Sequence, residues 1–107
     1  MVVIVDDYDL VSTTSGNPLA PLAEFAPQGR DLGLHLVLAR RTGGSSRFLF
    51  EPLTQVMGDM GSPGVLFSGD RMEGRLVNAT ASRNLPVGRA LLARRGMPPA
   101  QVQTAVP

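Results

Sequence analysis

Met1-Val2-Val3-Ile4-Val5-Asp6-Asp7 opens the chain, and its reading decides the fold. Four large aliphatics in a row, with no polar alternation, predict a strand buried on both faces, the pattern of a parallel sheet. The run stops at two adjacent carboxylates. In open α/β sheets ligands bind at the carboxyl ends of the strands. There an acidic pair can hold a hydrated Mg²⁺ and orient a water, as in mononucleotide-binding folds, or form the acidic pocket of a receiver domain. As residues alone, the pair is equally a solvated strand end.

Downstream residues continue an α/β order. Tyr8 to Asn17 is polar and reads as a loop. Asn17 is placed to cap a helix beginning at Pro18 or Leu19, whose apolar face is Leu19, Leu22, Ala23 and Ala26. Pro27 costs about 3 kcal/mol inside a straight helix, so a short helix and a kinked turn to Gly33 are expected. Leu34 to Ala39 predicts a second buried strand, with His35 packed or capped within it. Arg40-Arg41 and a Thr42–Ser46 loop follow. Leu49, Leu53, Val56, Met57 and Met60 share a helical face, best formed from Glu51 to Met60, with Met57 and Met60 in the core. Val65 to Phe67 is a third strand, and Ser68 to Gly74 a turn-rich loop in which Asp70 and Arg71 pair locally. Arg89–Arg94 and Gln101–Val106 read as a hairpin. The order is strand, helix, strand, helix, strand, hairpin.

Composition removes several function classes. A length of 107 residues sets at most one domain, and 43% apolar content suffices for a core. A net charge of +1 produces no field that would draw nucleic acid or acidic membrane. There is no cysteine and a single histidine, which removes thiolate metal sites and disfavours imidazole ones. No apolar run approaches the roughly 20 residues of a membrane helix, and no signal-peptide pattern is present, so a cytoplasmic chain is expected. All ten basic residues are arginine. A receiver domain needs a lysine beside its phosphorylated aspartate, so Asp59, four residues before Pro63, is not a phosphoacceptor. The residues before it also have helical rather than strand spacing.

Four segments resemble one family in the same order. Val2-Val3-Ile4-Val5-Asp6-Asp7-Tyr8-Asp9-Leu10, with Ser15-Gly16-Asn17-Pro18-Leu19, is similar to the Walker B region of EccC-type type VII (ESX) secretion ATPases, in the FtsK/SpoIIIE branch of P-loop motors. Arg30 to Arg41 resembles the next strand, where translocases place a polar sensor. Gly61 to Arg71 and Leu85 to Ala90 resemble later segments. The likeness covers essentially residues 1–107 and is greatest to the degenerate, C-terminal ATPase modules. It implies a partial P-loop NTPase (RecA-like) fold: a parallel sheet with a C-terminal β-hairpin, lacking the P-loop half.

The same resemblance assigns roles. Asp6 takes the metal- and nucleotide-binding position, Asp7 the catalytic position that polarises the attacking water, and Arg40 and Arg41 face phosphate. Proficient relatives carry glutamate where Asp7 stands. The carboxylate therefore falls short by one methylene, and a misplacement near 1 Å costs roughly a hundredfold in rate. Arginine at the sensor position donates hydrogen bonds but accepts none. No Gly-x-x-x-x-Gly-Lys-Ser/Thr motif occurs in this sequence. In related folds its strand lies between those expected at Leu36–Ala39 and Val65–Phe67, so a gap is expected there.

The implied cofactors, ATP and Mg²⁺, belong to the complete domain, with no tight binding or hydrolysis by this chain alone. The implied partners are the rest of the secretion ATPase and its complex at the cytoplasmic face of the inner membrane. Two further readings stand beside this one. The chain is a non-enzymatic docking module for small helical secreted substrates, or a DNA-translocase fragment, which the near-neutral charge disfavours.

Overall fold

A parallel pair of strands carries the candidate site. In the computed structural model, which describes residues 1–12, 16–41, 43 and 51–105, β1 (Val2–Val5) lies beside β2 (His35–Leu38) with Val2 opposite His35 and Val5 opposite Leu38. Between them the chain forms a one-turn helix α1 (Tyr8–Val11) and a broken helical stretch. That stretch comprises α2 (Leu22–Phe25), a 3₁₀ turn (Ala26–Gln28) and α3 (Gly29–Leu32). Pro27 sits in the 3₁₀ turn, where its missing N–H interrupts no α-helical ladder. Gly33, at φ 72°, ends α3 in the left-handed conformation that glycine adopts without strain. The helix begins at Leu22, not at Pro18 or Leu19, with Pro21 at its N-cap. Asn17 is therefore not its cap; its Oδ1 instead accepts the Leu19 N–H at 2.9 Å in the turn that precedes the helix.

Helix α4 (Pro52–Asp59) lies within the expected 51–60 span. Its buried Leu53 meets Tyr8 and Ala26, and Val5, Leu36, Leu38, Val56 and Met57 pack around these three. Met60 does not join this core and is 44% exposed. The Arg95 guanidinium donates to the Asp59 carbonyl at 3.3 Å, placing a cation at the helix C-terminus where the dipole favours it.

Helices cover only one face of the parallel pair. Val2, Ile4, His35 and Val37 share the other, and all four are exposed among the described residues. This corrects the expectation that both strands are buried on both faces and that His35 is packed or capped within its strand. A continuous aliphatic run specifies a strand with two apolar faces, but only tertiary partners cover them.

The third strand, β3 (Gly64–Leu66), makes no ladder with β2. It pairs antiparallel with β6 (Arg89–Ala93), which pairs antiparallel with β7 (Ala100–Gln103), the expected hairpin. A second hairpin, β4 (Arg75–Val77) with β5 (Thr80–Ala81), was not expected from the sequence. It lies on β3, and a Cβ added to Gly64 would stand 2.8 Å from Val77 Cγ1. Leu66, Ala90, Leu91 and Ala93 are buried in this half. Of the other sequence expectations, Thr42, Gly44–Ser46, Leu49 and Val106 lie outside the described residues.

Candidate functional site

The carboxyl ends of β1 and β2 bring the four sequence-derived site residues to one end of the sheet. Asp6 and Asp7 follow β1 directly, Arg40 and Arg41 follow β2, and the Tyr8 N–H donates to the Ala39 carbonyl at 2.8 Å between them. Both aspartates are exposed. Asp6 Oδ1 accepts the Asp7 N–H at 2.9 Å. Asp7 itself adopts φ 50°, ψ 47°, a left-handed conformation that aspartate tolerates better than most residues and that turns the chain sharply into α1. The pair is thus presented on a strained turn rather than on a strand.

The two arginines are tied into the same rim. Arg41 Nε donates to Asp9 Oδ2 at 3.0 Å, while the Arg41 side chain remains 77% exposed and that of Asp9 only 6%. Burial works to raise the Asp9 carboxyl, but the hydrogen bond and charge of Arg41 outweigh it and hold the group below the usual carboxylate range. Asp9 Oδ1 is buried without a hydrogen-bond partner. Arg40 folds along its own loop, Nε donating to the Arg41 carbonyl at 2.8 Å and Nη2 to that of Gly43 at 3.3 Å. Burial draws its guanidinium below the ordinary arginine range, against the charge of Asp9. Asp9 is thereby a bridge between the two strand ends, not merely a loop or cap residue.

Among the described residues no group of three or more histidine, cysteine, aspartate or glutamate side chains could hold a metal. The donor set is therefore one exposed carboxylate with a free oxygen, Asp6 Oδ2, and its neighbour Asp7. That is too little to chelate a bare cation. It fits Mg²⁺ held through its own waters and a nucleotide's phosphates, because Mg²⁺ dehydrates reluctantly and takes few protein ligands.

No family model matches the chain. Curated relatives do: EccC of Thermomonospora curvata is 47% identical over 102 residues, 95% of this chain and 8% of that protein. EccC4 of the Mycobacterium tuberculosis ESX-4 system is 52% identical over 90 residues, 84% of this chain and 7% of the relative. Among solved structures, the cytoplasmic domain of the T. curvata type VII secretion ATPase EccC superimposes with a TM-score of 0.90 at 45% identity. That match covers 97% of this chain and 12% of the solved one. The chain belongs to the EccC family.

It spans less than a tenth of these EccC relatives. A second EccC structure, ATPases 2 and 3 of the T. curvata protein in complex with a signal sequence peptide, also matches with a TM-score of 0.90, over 97% of this chain and 19% of the solved one. The α/β expectation therefore holds in outline: a parallel pair, a C-terminal hairpin and the fold of an EccC ATPase segment. No helix among the described residues is long and apolar enough to cross a membrane.

One feature of this EccC segment escaped the sequence reading. Tyr8, 1% exposed, donates its hydroxyl to Glu51 Oε2 at 2.8 Å. Asn17 Nδ2 donates to the Tyr8 hydroxyl at 2.6 Å and to Glu51 Oε1 at 2.8 Å. Glu51 also caps α4, accepting from Leu53 N–H, Thr54 N–H and Thr54 Oγ1. The residue after Asp7 is thereby locked to the loop before α2 and to the start of α4. The signal available was Glu51 directly before Pro52, which marks a helix start, although glutamate is an uncommon cap.

Proposed function

We propose that this chain is the Walker B half of an FtsK/SpoIIIE-type nucleotide site in a type VII secretion ATPase, and that it does not hydrolyse ATP by itself. The observation that carries the reading is the acidic turn Asp6-Asp7 at the carboxyl end of a parallel strand, beside a second strand ending in Arg40-Arg41, in a chain with an EccC ATPase fold. In this reading Asp6 is the residue that would hold Mg²⁺, and the metal would neutralise phosphate charge when bound. Asp7 stands where the attacking water is oriented. Its left-handed backbone and short side chain set the carboxylate back from the glutamate geometry of proficient relatives. Arg40 and Arg41 take the role of phosphate contacts in this reading, with Arg41 steadied by Asp9.

The phosphate-binding loop is supplied by other parts of the polypeptide or by another chain, consistent with the absence of a P-loop lysine here. Two features fit a missing strand at the outer edge of β2: β3 makes no ladder with β2, and a cavity of about 340 Å³ runs along Leu34–Val37, Met57, Met60 and Ser62. The chain works in the cytoplasm as part of the larger secretion complex. A second reading, a docking module for secreted substrates, is favoured by the same cavity and by the relative solved with a signal sequence peptide.

The test is phosphate release by the purified chain with Mg²⁺ and ATP, alone and fused to a P-loop-bearing EccC segment. We expect no turnover above the buffer control for the chain alone, and turnover in the fusion that Asp6→Ala abolishes. Turnover by the chain alone that disappears in Asp7→Ala would overturn the claim of inactivity. An active fusion indifferent to Asp6→Ala would overturn the site assignment.

A further inference from the structure

A second cleft lies where the segment after β3 meets the segment after β5. Its volume is about 530 Å³ and its lining is Gly69, Asp70, Arg71, Arg83 and Asn84, a size that accommodates a small polar metabolite. The two segments are cross-braced. Gly69 N–H donates to the Arg83 carbonyl, Ser68 Oγ to Asn84 Oδ1 and Leu85 N–H to Ser68 Oγ, each at 3.1 Å. The walls are therefore set before any ligand arrives, which lowers the ordering cost of binding.

The side chains in this cleft have hydrogen-bonding capacity left over. Neither the Arg71 nor the Arg83 guanidinium has a hydrogen-bond or ion-pair partner among the described residues, and the expected local pair with Asp70 does not form. Asp70 instead accepts the Met72 N–H on Oδ1 at 2.9 Å, leaving Oδ2 open. Asn84 spends its carbonyl oxygen on Ser68 and keeps its amide N–H groups. The inventory is two cationic donor forks, one amide donor and one carboxylate acceptor. Arginine forks recognise phosphate oxygens. The carboxylate repels a bare anion and accepts from hydroxyls, so the set selects a phosphate with hydroxyl groups attached nearby.

We propose that this cleft holds the ribose-phosphate part of a nucleotide, with Arg71 and Arg83 on the phosphate and Asp70 on the sugar hydroxyls. The assignment rests on the nucleotide reading of the acidic turn and extends that site to two further loops.

The experiment is a ligand-observed ³¹P NMR titration of AMP, and separately of inorganic phosphate, with the 107-residue chain at constant ionic strength. We expect a dissociation constant for AMP on the order of 1 mM. Arg71→Gln and Arg83→Gln each weaken it about tenfold, the loss of one charge-assisted hydrogen bond. Both arginines are exposed, so a dispersed amide spectrum is expected for each variant. Absence of AMP binding overturns the proposal, as does inorganic phosphate binding equally well. AMP binding lost in Asp6→Ala but indifferent to Arg71→Gln and Arg83→Gln also overturns it, while leaving the Walker B reading intact.

Discussion

Five donors converge on the carboxylate of Glu51: the Tyr8 hydroxyl, the Asn17 amide, two backbone N–H groups and the Thr54 hydroxyl. Burial works to raise its pKa, and these bonds together hold it below the ordinary range. Tyr8 moves oppositely: burial and the charge-bearing acceptor push its phenol up to about 12. The raised Tyr8 pKa supplies stability that is whole below the unfolded value near 10 and is lost as pH rises through about 12. The depressed Glu51 pKa supplies stability present above the ordinary carboxylate value and lost as pH falls through its folded value. Tyr8→Phe removes one hydroxyl and leaves a half-buried carboxylate and amide short of a partner, a cost on the order of 1–3 kcal/mol. Urea denaturation of both proteins from pH 7 to 12 checks this. The wild type loses stability above pH 10, and the Phe variant starts lower and lacks that alkaline decline. Parallel curves for the two proteins would contradict the role given to Tyr8.

Elements followed the sequence where short-range chemistry decides and departed where tertiary contacts do. Helix α4 was legible because Pro52 fixes its start and Leu53, Val56 and Met57 line one face. The stretch from Leu22 to Leu32 was legible as interrupted, since Pro27 forbids a continuous ladder, but its division into three pieces depends on how each turn meets α4. The β4–β5 hairpin was missed because its turn is Asn78-Ala79, at φ 45° and 64°, where the usual signal is Asn-Gly. Asn78 is held by its amide, which donates to the carbonyls of Ser62 and Ala93. Ala79 has no such compensation and carries the left-handed penalty of roughly 1–2 kcal/mol. Ala79→Gly relieves that strain and loses part of the gain to unfolded-chain entropy. A net stabilisation of about 0.5–1 kcal/mol is expected from thermal melts. An unchanged or lowered melting temperature would show that the turn is not strained at this residue.

At the scale of the molecule, the acidic turn and the arginine pair were legible from their place after apolar runs, whereas the coverage of those runs was not. Periodicity reports that a strand has two apolar faces, and it is silent about which neighbours arrive to bury them. Here helices reach one face, against Val5, Leu36 and Leu38, and leave Val2 61%, Ile4 72% and Val37 51% exposed on the other. A parallel sheet of two strands is also narrower than independent stability ordinarily requires. Such a face and such edges promote association between copies until a proper partner covers them. The chain by itself is therefore expected to self-associate through this sheet. Ile4→Thr combined with Val37→Thr keeps β-branched side chains on the strands while removing apolar surface that contributes little to the folded monomer. It should shift the chain to monomer in sedimentation velocity and change stability by no more than about 0.5 kcal/mol per site, as for exposed positions generally. On the proposed Walker B reading, fusion to a P-loop-bearing EccC segment should also reduce association without either substitution, because the added segment competes for the exposed edges and face of the sheet. A wild-type chain that sediments as a monomer with a cooperative melt would mean that the exposed face is tolerated, and that the 107 residues are a self-sufficient fold.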